Sequence, residues 1–170
     1  MNTGQTFMGI GAMFLLSLTI LRVNNSILTT DTVMQDSKFG ILATSIATSL
    51  IEKASKKAFD ANTFENSVST LSALTPASGL GPASGETAPD ECNDFDDFDG
   101  YTDQITNLPS AIFDISCEVS YVNPNNPDGK LTTQSWHKKM TVTVTSPNIG
   151  TEEKTDTIKL STIYSYWHFR

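Results

Sequence analysis

Positive charge is scarce in this chain. Eleven Lys and Arg stand against 19 Asp and Glu, a formal net charge of −8 over 170 residues. Nucleic-acid affinity comes mainly from Lys and Arg neutralising phosphates, so that class of partner is not expected. Adsorption to anionic lipid headgroups is disfavoured for the same reason. Cysteine is equally sparse. Cys92 and Cys117 lie in no CxxC pair and near no His at ligand spacing, which argues against zinc. The even count leaves two readings open, one disulfide in an exported protein or a free buried thiol at Cys117. There are two histidines, His137 and His168, both in strand-like segments, and neither neighbours a Ser or Cys nucleophile in a known motif. No enzymatic activity is expected.

Charge is missing altogether from residues 1–21. Residues 7–21 (FMGIGAMFLLSLTIL) are almost wholly apolar, and Arg22 closes the run. A bilayer span needs about 20 apolar residues, so this is a short anchor that draws on its flanks. It has neither the basic n-region nor the small-x-small cleavage site of a secretory signal peptide. A buried core helix that is apolar all round would be unusual here. A retained membrane anchor is the expectation, spanning once.

Helix breakers are also rare after the anchor. Residues 23–59 hold no proline and only Gly40. Val33, Phe39, Leu42, Ile46, Leu50, Ala54 and Ala58 recur mostly at spacings of three and four, which predicts one apolar stripe on an amphipathic helix over 31–59. Asp31 and Asp36 lie early and Lys53, Lys56 and Lys57 late, the order that suits a helix dipole. Asn24, Asn25 and Ser26 mark a place for a bend. A further short helix is expected over 62–74, from the placement of Phe64, Val68, Leu71 and Leu74. The stretch TPASGLGPASGETAP (75–89) is a loop by composition.

Beyond residue 110 the period changes to two. Phe113, Ile115, Cys117, Val119 and Tyr121 alternate with polar residues, predicting a half-buried strand. NPNNPDG (123–129) and PNIG (147–150) are turn signals. They bound a second strand over 136–145, with Met140, Val142 and Val144 on one face, and a third over 157–169. His137, Lys138 and Lys139 read as an exposed strand edge. The expected fold is α+β: a long N-terminal helix, apolar then amphipathic, packed on a small antiparallel sheet of about three strands. The expected organisation is an anchor over 1–30, then a globular domain over 31–170. That domain comprises the amphipathic helix 31–59, a loop region 60–110 and a β-meander 111–170.

The one chemically suggestive cluster is DECNDFDDFDG (90–100), part of a stretch with seven carboxylates between Glu86 and Asp99 and no Lys or Arg. Calcium takes six to eight oxygens, and Asp94, Asp96, Asp97 and Asp99 are the candidate ligands. The loop is not an EF-hand, because the register that places Gly100 correctly puts Phe95 first and Thr106 twelfth. The alternative is a solvated acidic loop anchored by Phe95, Phe98 and Tyr101.

An N-terminal Gly, an uncharged apolar helix, an amphipathic continuation, an irregular loop and a C-terminal antiparallel sheet together resemble type IV pilins and type II secretion pseudopilins. SIATSLIEKASKKAFD (45–60) and DDFDGY (96–101) are similar to segments of minor pilins and pseudopilins. The resemblance implies a class III leader over 1–4, cut after Gly4 by a prepilin peptidase, and a methylated Gln5 as the new N-terminus. It implies an inner-membrane protein with a periplasmic or extracellular domain, which enters a surface filament by packing its N-terminal helix with those of other pilin-like subunits. It implies no cofactor. Family members usually carry Glu at mature position five, where this chain has Gly9; minor subunits that cap a filament tip can lack it, so the resemblance implies a minor or tip-proximal subunit. A single-pass tethered binding module, with residues 75–104 as its ligand surface and calcium as a possible ligand, is the alternative.

Overall fold

Fifty-three residues, Thr3–Ser55, form one α-helix (α1) in the computed structural model. The structure describes residues 2–86, 88–108, 111–151 and 154–167. The helix is not interrupted at Asn24–Ser26. The helix runs through, and the Thr29 and Thr30 hydroxyls donate back to the Asn25 and Ser26 carbonyls at 2.7 and 2.8 Å. Such back-bonding lets short polar side chains sit on a helix without competing for its backbone.

The chain divides into two units, Met1–Lys38 and Phe39–Arg170. In the first, the apolar side chains of residues 7–21 are exposed, among them Phe7, Ile10, Phe14 and Leu16. Thr3–Ser55 contains a stretch long and apolar enough to cross a membrane. Its two hydroxyl residues, Ser17 and Thr19, donate to the Met13 and Leu15 carbonyls at 2.9 and 2.8 Å. That satisfies groups whose burial in lipid would otherwise be costly.

In the second unit the stripe is real but narrower than its spacing suggests. Phe39, Ala43, Ala47, Leu50 and Ala54 are buried against the sheet, whereas Leu42 and Ile46 are only partly covered. The helix ends at Ser55, four residues before its expected limit. The cause is a competing partner for the backbone. Ala58 forms a parallel bridge with Asp94, donating to the Asn93 carbonyl and accepting from the Phe95 amide at 2.8 Å.

The sheet is antiparallel with five strands rather than about three: β1 (Thr102–Ile105), β2 (Phe113–Asn123), β3 (Asn126–Lys130), β4 (His137–Thr151) and β5 (Lys154–Ser165). The order is β1-β2-β4-β5, with β3 folded back on the end of β2. The predicted alternation in β2 holds residue by residue, and Met140, Val142 and Val144 of β4 are fully buried. The two additional strands lack an alternating apolar face. β1 is almost wholly exposed, and β3 (NPDGK) reads as pure turn chemistry yet pairs at an edge, where Pro is tolerated. PNIG is not a turn. β4 continues through it with a register shift between Thr145 and Gly150, an irregularity of the kind that admits Pro inside a ladder.

The helix expected over 62–74 is replaced by two 3₁₀ turns, Ala61–Thr63 and Leu71–Ala73. Asp60 caps the first and also accepts the Thr75 amide at 3.0 Å, while the Tyr166 hydroxyl accepts the Val68 amide at 2.8 Å. These long-range ties outbid a local helix. The region read as loop, 60–110, thus holds four 3₁₀ turns and β1.

Candidate functional site

The acidic loop turns inward. Phe95 and Phe98 are fully buried, as anchoring aromatics should be, but so in effect are Asp94, Asp96 and Asp97. The loop is therefore not the solvated one that its composition suggests. A 3₁₀ turn at Asp96–Phe98 gathers backbone N–H groups toward the carboxylates. Asp94 Oδ1 accepts from the Asp96 and Asp97 amides at 2.9 and 3.2 Å. Asp97 Oδ2 accepts from the Asn93 and Asp94 amides at 2.8 and 3.0 Å. Asp99 Oδ1 accepts from the Val119 amide of β2 at 2.7 Å. Gly100, at φ 75°, then takes the left-handed turn into β1 that a side chain would strain.

Lys138 is the cation that the loop itself lacks. It is fully buried, and β4 lies between β2 and β5, so the exposed-edge reading fails for this residue. Its ammonium donates to the Phe59 carbonyl at 2.7 Å, to Asp60 Oδ2 at 2.9 Å and to Asp96 Oδ1 at 2.5 Å. All three N–H groups are engaged. The Phe59 and Tyr121 rings flank the ammonium, with centroids at 4.5 and 5.3 Å. Lys139, one residue on, points to the other face and pairs with the exposed Asp128 at 2.8 Å.

Asp60 is held as an anion. Besides Lys138 it accepts from the Asn62 amide and side chain and from the Thr75 amide and hydroxyl, while the Tyr121 hydroxyl, 3.3 Å away, donates to the Thr75 carbonyl at 2.8 Å. Burial pushes its carboxyl up, but the Lys138 hydrogen bond and charge, with the Thr75 and Asn62 amides, outweigh that and leave it below the usual range. Asp94 goes the other way. Burial, then the hydrogen bond and charge of Asp96, push it to about 7. Burial also raises Asp96 against the pull of Lys138, and raises Asp97 and Asp99.

Three buried carboxyls and the half-buried Asp99, all with raised values, set the pH dependence of stability. Between about pH 4 and 7 the folded chain binds more protons than the unfolded one, so stability falls as pH rises. The contribution of Asp94 is fully present below its ordinary value of 3.8 and is lost as pH rises through about 7. Asp60 has the opposite sign, and its contribution is lost only as pH drops below 3.8. The urea midpoint should therefore be higher at about pH 5 than at about pH 8, with a flatter slope in Asp94→Asn. A midpoint that climbs across that window would contradict these assignments.

Of the expected calcium ligands, the structure brings Asp94, Asp96 and Asp97 into one turn and sends Asp99 to β2. One oxygen of each accepts from a backbone N–H group or from Lys138. Among the described residues no three His, Cys, Asp or Glu side chains are grouped to hold an ion. Cys92 and Cys117 are separate buried thiols, not a bridge. Burial, with the Asp99 charge, pushes Cys117 up to about 12, and burial raises Cys92. His137 Nδ1 lies 2.8 Å from the Ser165 hydroxyl, its cross-strand neighbour, beside an apolar surface pocket lined by Val68, Trp136, Tyr166 and Trp167. His168 is outside the described residues. Gly4 and Gln5 lie in the first turns of α1, with open space around Gly4 and Gly9.

Asp60 and Lys138 are the residues that sequence reasoning passed over. Both left a signal. Lys138 is in phase with Met140, Val142 and Val144, so the same alternation places it inward. Asp60 and Thr63 form a reciprocal capping box. Comparison with known proteins gives no matching family model, no matching curated protein and no matching solved structure.

Proposed function

We propose that this chain is a structural subunit, minor or tip-proximal, of a type IV pilus-like or type II secretion pseudopilus-like filament. The observation that carries the reading is the double use of α1. Residues 7–21 present exposed, uncharged, mostly apolar side chains, and residues 39–54 of the same helix form part of a domain core. A span needs only about 20 residues, so a 53-residue helix exceeds what a simple tether requires. Packing with other copies or related subunits gives the exposed apolar segment a partner outside lipid. Self-satisfied hydroxyls at Ser17 and Thr19 suit it to either surrounding. In this reading the subunit rests in the inner membrane with its domain on the outer side, and needs no cofactor.

The test is co-expression with a prepilin peptidase, followed by intact mass and N-terminal sequencing. The reading expects loss of residues 1–4 and a methylated Gln5. A chain left whole where a control pilin is cut would reject it in favour of the tethered binding module. An unchanged number and length of filaments on deletion would reject the minor or tip-proximal role.

A further inference from the structure

We propose that Lys138 and Asp96 condense into an intramolecular amide bond, with Asp94 carrying the proton, so that the acidic loop is covalently stapled to β4. The modification is independent of the filament reading.

Contact and burial bring the reacting groups together. The amine and the carboxyl are hydrogen-bonded, with Nζ 2.5 Å from Asp96 Oδ1, one bond from the carbon to be attacked. Both side chains are almost wholly removed from water, at 0% and 3% exposure. Phe59 and Tyr121 flank the amine, and Phe95 and Phe98 bracket the turn that carries Asp96. The reacting forms are the neutral amine and the protonated acid, and one proton passed from the amine to a carboxyl inside the closed site produces both. Holding them in contact converts a slow bimolecular condensation into an intramolecular one. A third carboxyl stands beside the reaction centre, because Asp94 Oδ1 accepts from the Asp96 amide at 2.9 Å.

The step balances without an oxidant or a co-reactant. Lys138 gives one proton to the Asp94–Asp96 pair, so that a neutral amine faces a protonated Asp96 carboxyl. Nζ attacks Cγ and the Nζ–Cγ bond forms. Asp94 takes the second amine proton and delivers it to the departing oxygen. The Cγ–O bond breaks and one water leaves. Nothing is oxidised or reduced.

Asp60 is the positioning residue and not the target. Its four other donors, from Asn62 and Thr75, hold it as an anion, and an anionic carboxylate is a poor electrophile. It aims the amine beforehand and can accept the amide N–H afterwards. The bond would close a 42-residue separation between the acidic turn and β4. A cross-link over such a loop restricts the unfolded chain and resists extraction of the loop under load.

Peptide mapping of the purified full-length chain tests the bond. Trypsin should release residues 58–130 joined to residues 131–139, lighter than the two peptides by one water, with fragment ions placing the link at Asp96. Lys138→Arg keeps the cation without the nucleophile and should give two separate peptides. Asp94→Asn keeps an oxygen for the Asp96 and Asp97 amides but loses the acid, and should lose most of the link. As a second readout, Lys138 of the unfolded wild-type chain should resist an amine-specific acylating reagent. Separate peptides and an acylated Lys138 from wild-type protein that melts cooperatively would overturn the proposal. So would a link at Asp60, and an undiminished link in Asp94→Asn would remove Asp94 from the reaction.

Discussion

Lys138→Met should destabilise the domain by about 3–5 kcal/mol, or roughly 10–20 °C in Tm. The substitution removes the one cation that Asp60 and Asp96 share in a site closed to water. Methionine fills much of the same volume, so the loss is electrostatic and not a cavity. Asp60 can fall back on its four other donors, whereas Asp96 loses the ammonium that faces it. Adding Asp96→Leu to Lys138→Met should therefore recover part of the loss, because replacing a buried ion pair whole is far cheaper than halving it. Lys139→Met is the matched control and should cost less than about 1 kcal/mol, since its partner Asp128 is exposed. Urea melts of the three variants would decide the matter. Equal small losses at Lys138 and Lys139 would mean that water reaches the buried site. If the amide bond forms, Lys138→Met loses that too, and the figure is a lower bound.

The fold was legible where one physical signal dominated. Period-two burial marked β2 and the inner part of β4, and an uncharged apolar run followed by spacings of three and four marked α1. It was illegible where long-range partners overrode local preference. Ala58 left its helix to pair with Asp94, the 62–74 segment gave up a helix to satisfy Asp60 and Tyr166, and β4 ran through Pro147. The site was half legible. Carboxylate density drew attention to residues 94–99, but density reads as exposure, and only the pairing of β4 with β2 shows that a lysine lies beneath it. The chemistry changes with that one residue. An acidic loop alone invites a cation from solution, whereas this one is bonded to a cation of its own chain. The pull to read Lys138 with His137 and Lys139 as one exposed run hid it, although strand alternation sends neighbours to opposite faces.

Phe14→Arg should release the chain from membranes while leaving its domain intact. Phe14 lies at the middle of residues 7–21 and is exposed, so the change touches no part of the sheet core. An arginine at the centre of a span costs about 2.5–3.5 kcal/mol on an insertion scale, equivalent to a shift of roughly 100-fold or more between inserted and free states. The apolar run is short for a bilayer, so its insertion has little margin to absorb such a change. Extraction of membranes at alkaline pH would read the result: wild-type chain in the pellet, Phe14→Arg in the supernatant, and both with the same melting transition. Ser17→Leu should move the other way, since it lengthens the apolar run without altering charge. The same arginine also bears on filament packing, because a charge on the apolar face must be buried among neighbouring helices. If Phe14→Arg stayed in the pellet, the segment would not be the anchor. Its apolar side chains would then need another cover, and contact with other copies would be the first place to look.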